Sequence, residues 1–133
     1  MPDVIDRLLK AVNGYDLEAL VACFADDYRN ETPVHPLRGF TGNEQVRKNW
    51  SQILGSIKDI NARVLRTAAG DDLVWTEWDM SGKRPDGGPF LMRGVVIFGV
   101  TDDVIRSARF YLEPAEEDSG DVDRHTERVV TGR

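Results

Sequence analysis

The sequence predicts an α+β fold in which three N-terminal helices gather on one face of a strongly curved, mostly antiparallel sheet. Apolar residues recur at helical spacing as far as Ile57, the period changes to roughly two from residue 59, and short turns separate the strands that follow. The chain has 133 residues and a mass of 15.0 kDa, the size of one domain.

The helices come first. Val4, Ile5, Leu8, Leu9 and Val12 form one apolar face behind Asp3, a good N-cap, and Gly14 offers a stop. Asp16 then caps a second helix with Leu17, Leu20, Val21 and Phe24 at i, i+3, i+4 and i+7. Only a turn divides the two, so they are expected to pack as a hairpin. Tyr28 to Thr32 has the length of one short strand, and Pro33 and Pro36 then force an irregular loop. Thr41 and Glu44 have the spacing of a capping box, opening a third helix that buries Val46, Trp50, Ile53, Leu54 and Ile57.

Ile60 to Ala68, Leu73 to Ser81, Phe90 to Val100 and Val104 to Leu112 read as four long strands. Gly70-Asp71-Asp72, Pro85-Asp86-Gly87-Gly88-Pro89 and Asp102-Asp103 supply the turns between them. Connections this short make antiparallel neighbours. After Pro114 the composition turns to Glu, Asp, Ser and Gly, with too few apolar side chains to offset the entropy of ordering. The sequence therefore predicts a domain over residues 1–114 and a polar, mobile tail over 115–133.

Composition excludes several functions. A net charge of −6 opposes attraction to phosphate backbones and anionic lipid, so neither nucleic acid nor a membrane is expected as a partner. The N-terminus carries acids and no long apolar run, which predicts a cytoplasmic protein. Cys23 is the one cysteine, read as a small core residue on the apolar side of a helix. No grouping of His, Cys and carboxylates has ligand spacing, and the glycines form no phosphate-binding pattern, so neither a metal nor an organic cofactor is expected.

The helix start Asp16-Leu-Glu-Ala-Leu20, the segment Phe24-Ala-Asp-Asp27, the helix start Gly42-Asn-Glu-Gln-Val46, Glu77-Trp78, Arg93-Gly-Val and Arg109-Phe-Tyr-Leu-Glu-Pro114 stand in a telling order. Together they resemble a SnoaL-like member of the nuclear transport factor 2-like superfamily, over residues 3 to 114. The resemblance implies a cone whose sheet and helices enclose a deep, largely apolar pocket, in a homodimer formed through the sheet. The superfamily includes steroid isomerases, epoxide hydrolases, polyketide cyclases, dehydratases and proteins without chemistry, so fold alone does not fix function.

Three catalytic patterns of that superfamily are unmatched here. The ketosteroid isomerase-like base and oxyanion tyrosine fall at Thr32 and Leu8. The acid-base aspartate of the polyketide cyclase pattern falls at Phe110, and the Arg and Asp of the epoxide hydrolase pattern fall at Trp78 and Met80.

The resemblance implies a pocket lined by Tyr28, Asn30, Thr32, Trp50, Thr76, Trp78, Met80, Ala108, Phe110 and Leu112, an aromatic cavity with a few hydroxyl and amide handles. Trp50 and Trp78 either line this cavity or fill it. His35, at the expected mouth, is the candidate acid-base residue, because an ordinary imidazole titrates near ~6.5; the alternative is a surface histidine without a role. A one-residue shift of the last strand would instead bring Arg109, Tyr111 and Glu113 inside. Glu31, Glu77 and Asp79 are assigned to the outer face, pairing with arginines. Two readings follow: a cofactor-independent acid-base enzyme of isomerase, cyclase, dehydratase or hydrolase type acting on an apolar substrate, or a noncatalytic ligand-binding or dimerisation module.

Overall fold

A computed structural model describes residues 2–117 and 120–132. Helix α1 (Asp3–Asn13) buries Val4, Ile5, Leu8, Ala11 and Val12, the face that the spacing predicts. Its N-cap is Pro2 rather than Asp3, and no side chain of its own caps it. A distant acid does that work instead. Asp103 Oδ1 accepts from the Val4 amide at 2.9 Å, and Arg7 donates to the other carboxylate oxygen at 2.5 Å.

Helix α2 (Leu17–Val21) is capped by Asp16, whose side chain accepts from the Ala19 amide at 3.0 Å. The helical spacing carries on to Phe24, but the helix stops at Val21 and Phe24 opens strand β1 (Phe24–Glu31). Pairing of Phe24 with Ile105, and a 2.9 Å bond from the Ile105 amide to the Cys23 carbonyl, draw the backbone into the sheet. Long-range pairing thus overrides the local period. Cys23 is buried just beyond α2, and burial pushes its thiol pKa up.

A 3-10 turn (Pro36–Arg38) and strand β2 (Phe40–Thr41) lead to helix α3 (Asn43–Ser56). The expected capping box does not form. Thr41 is held extended opposite Arg29, and Gly42 is the N-cap at φ +97, a conformation that favours glycine. The Gly42 amide donates to the Tyr28 carbonyl at 2.6 Å, which ties the helix start to β1. Val46 is buried on α3, whereas Trp50, Ile53 and Leu54 are half-buried because this face borders a cavity.

Strands β3 (Lys58–Gly70), β4 (Leu73–Lys83), β5 (Pro89–Thr101) and β6 (Val104–Pro114) form the antiparallel meander that the period predicts. The sheet order is β2-β1-β6-β5-β4-β3, with β1 parallel to β6. Asp71-Asp72 and Asp102-Asp103 turn two of the hairpins with all four φ angles positive, between +50 and +63, a conformation that aspartate tolerates. Bulges in the β3–β4 and β5–β6 pairings increase local bend and twist, and the sheet curves over the helices. At Gly94, φ +148, a Cβ would stand 2.0 Å from the Tyr111 carbonyl oxygen, so this close approach of β5 to β6 needs glycine.

The core lies between helices and sheet, with Ile5, Leu20, Tyr28, Phe98 and Ile105 fully buried. On the outer face Asp79 meets both Arg63, at 3.6 Å, and Arg93, at 3.5 Å. Glu77 pairs with Arg66 at 3.5 Å and Glu31 with Arg109 at 2.5 Å. Within the segment assigned to a tail, Val122–Thr131 forms helix α4, capped by Asp121 and ending at Gly132 in the left-handed conformation. No residue of α4 is buried; residues 118, 119 and 133 of this segment lie outside the described residues.

Candidate functional site

Helix α3 and the concave face of the sheet leave a cavity of about 270 Å³ between them. Strand β1 supplies Tyr28 and Asn30 two residues apart, as the alternation of a strand requires, with Thr32 just beyond its end. One helical face supplies Val46, Asn49, Trp50 and Ile53. Met80 of β4, Met92 of β5 and Phe110 and Leu112 of β6 complete the far wall, Met80 lying directly across from Met92. The inner end narrows to a recess of about 30 Å³ at Leu8, Val12, Trp78 and Val96.

The structure brings together most of the residues assigned to the pocket. Tyr28, Asn30, Thr32, Trp50, Met80, Phe110 and Leu112 line the main chamber, and Trp78 borders only the recess. Ala108 is buried in the core and lines neither. Thr76 also stands apart: it is 1 % exposed, its hydroxyl donates to the Val96 carbonyl at 2.6 Å and accepts from Trp78 Nε1 at 2.7 Å. That hydroxyl is fully engaged in fixing the indole. Thr32, at the vacant base position, is likewise occupied, donating to the His35 carbonyl at 2.9 Å within a turn that the His35 amide closes onto the Thr32 carbonyl.

Tyr28 and Asn30 form a buried polar pair, the phenol donating to Asn30 Oδ1 at 2.7 Å. Burial raises the pKa of Tyr28 far above its ordinary value, so the phenol remains a neutral donor at physiological pH. Next to this pair the cavity opens to its mouth. His35 is half-exposed there, and its Nε2 stands 2.8 Å from Glu113 Oε1. Glu113 lines the chamber; His35 backs it from outside.

The register of β6 keeps Phe110 and Leu112 inward, so Arg109 and Tyr111 do not enter the chamber. Both belong to the opposite side, where Arg109 pairs with Glu31 and lies 3.4 Å from the Tyr111 hydroxyl. Glu113 reaches the chamber without that shift, because it stands at the rim, one residue before the end of β6.

Several lining residues escaped sequence reasoning. Asn49 shares the face of Val46 and Trp50, so helical spacing could have found it, and Ile53, expected in the core, borders the chamber instead. Arg38 lies in the Pro-rich loop, where no periodic signal exists. Among the described residues, no group of three or more His, Cys, Asp or Glu is placed to hold a metal ion, and no helix is long and apolar enough to cross a membrane.

Residues 5–108 match the family model of a SnoaL-like domain. No curated protein matches the chain. Among solved structures, similarity extends to a protein of Catenulispora acidiphila with a ketosteroid isomerase-like fold, in complex with trimethylamine. That protein is 19 % identical at a TM-score of 0.72, over 84 % of this chain and 86 % of its own. A proposed polyketide cyclase of Sinorhizobium meliloti is 20 % identical at a TM-score of 0.66, over 85 % and 95 %. An LEH-like epoxide hydrolase of M. tuberculosis is 16 % identical at a TM-score of 0.71, over 99 % and 96 %.

Proposed function

This chain belongs to the SnoaL-like family, within the nuclear transport factor 2-like superfamily, and from that premise we propose a cofactor-independent acid-base enzyme acting on a small, largely apolar substrate. The observation that carries this reading is the Glu113 carboxylate lining a largely apolar cavity with the His35 imidazole against it at 2.8 Å. A catalytic version of this fold needs a titratable group inside the pocket, and Glu113 is one.

In the proposed chemistry Glu113 takes a proton from a substrate carbon or from a water and returns it elsewhere on the product. His35 holds the carboxylate in place as a positioning residue, since it does not line the chamber. Phe110, Trp50 and Met80 shape the apolar body of the site, and Asn30 with Tyr28 offers an amide to a polar atom of the substrate. Fold relatives described as a cyclase and an epoxide hydrolase make small carbonyl compounds and epoxides the substrates to try first.

The test is a panel of such substrates with the wild-type protein and Glu113→Gln. Turnover that falls at least a hundredfold in Glu113→Gln, with probe binding intact, supports acid-base catalysis; a wild-type protein that binds these compounds and turns none over sinks it. The vacated carboxylate positions at Thr32, Phe110 and Met80 favour the second reading, a noncatalytic ligand-binding module, which that outcome would establish.

The same premise supports a homodimer formed through the sheet. Leu65, Leu73 and Trp75 are exposed on its outer face, between the charged pairs of Arg63, Arg66 and Arg93.

A further inference from the structure

Most arginines of the sheet and helices are matched with acids. Arg7, Arg47, Arg63, Arg66, Arg93 and Arg109 each lie within 4.0 Å of a carboxylate. Among the described residues Arg29, Arg38, Arg124 and Arg128 have no carboxylate that close, and of these four Arg38 alone lines the cavity. Glu113, which lines the same cavity, is held by His35 instead.

The backbone that carries Arg38 is pinned. His35 to Gly39 form a tight turn closed by bonds from the Arg38 amide to the His35 carbonyl, at 2.9 Å, and from the Gly39 amide to the Pro36 carbonyl, at 3.3 Å. Proline fixes φ at the first position of this turn. A Cβ on Gly39 would stand 3.2 Å from the Asn30 carbonyl, so the turn is pressed against β1. Leu37 is fully exposed, and Arg38, exposed as well, borders the chamber.

An arginine with no acid, on a fixed turn at one end of an aromatic cavity, is a fork of donors awaiting an acceptor. We infer that the ligand of this pocket carries an anionic oxygen group, a carboxylate, enolate or sulfonate, which Arg38 binds while the apolar body fills the chamber beside Phe110 and Trp50. This rests on the pocket reading above and assigns its ligand class. A net charge of −6 gives no general attraction for anions, so a preference for one must be local to this guanidinium.

The test uses two fluorescent probes of one apolar skeleton, 8-anilinonaphthalene-1-sulfonate and the uncharged N-phenyl-1-naphthylamine. The wild-type protein is expected to bind the sulfonate at least tenfold more tightly. Arg38→Gln should remove that preference while changing affinity for the uncharged probe less than twofold, and Arg38→Lys should restore part of it. Loss of both probes together in Arg38→Gln, or equal affinity of the wild-type protein for the two, overturns the inference but leaves the pocket reading standing. Neither probe bound by the wild-type protein, or a Met92→Trp variant that fills the chamber without weakening either, overturns both.

Discussion

His35 Nε2 and Glu113 Oε1 lie 2.8 Å apart, joining the Pro-rich loop after β1 to the last residues of β6. With the carboxylate as acceptor, the neutral imidazole carries its proton on Nε2 and keeps the lone pair on Nδ1. Long-range nitrogen–proton correlation spectra of His35 should show the Nε2–H tautomer in the wild-type protein and a mixture in Glu113→Ala. An Nδ1–H tautomer in the wild-type protein would break the pairing on which the proposed chemistry stands.

Tyr28→Phe removes the donor to Asn30 Oδ1 at a site where Tyr28 is almost fully buried. A buried acceptor left without its partner costs about 1–3 kcal/mol, so the denaturation midpoint should fall with little change in slope. An unchanged midpoint would mean that water reaches Asn30 through the cavity and replaces the phenol.

Arg7, and after it the Val4 amide, holds the Asp103 carboxyl below the usual carboxylate range. The unfolded chain therefore binds more protons here, and this contribution is complete above the unfolded value of ~3.9 and lost as pH falls through the folded one. Asp103→Asn keeps a side chain that tolerates the left-handed turn at φ +56. It should lower stability at neutral pH and flatten the loss below pH ~4, read as thermal midpoints against pH. Parallel profiles for the two proteins would refute the linkage.

Sedimentation at micromolar concentration should show a species of two 15.0 kDa chains. Trp75, 51 % exposed on the outer face, is the position to disrupt. Trp75→Glu would set a charge in the seam and should convert the dimer to monomer while leaving the helical content of the fold unchanged. A wild-type protein that sediments only as one chain ends the dimer proposal.

The order of elements was legible because it is written in local periods: helical spacing to Ile57, alternation afterwards, and aspartate or glycine at the turns. Part of the cavity wall was legible too, since Tyr28, Asn30, Phe110 and Leu112 follow the two-residue alternation of their strands. Helix boundaries were less so. Phe24 left its helix for a partner in β6, and Thr41 gave up a capping box to pair in β2.

Sequence by itself determined the α+β class, the meander and the vacancy at Thr32. Only tertiary structure decided that Thr76 spends its hydroxyl on Trp78 and Val96, that Glu113 meets His35 at the mouth, and that Arg38 faces the cavity without an acid. The reason is physical: periodicity reports which face of an element is buried. Pairing between side chains far apart in the chain depends on where the loops and the strand ends come to rest.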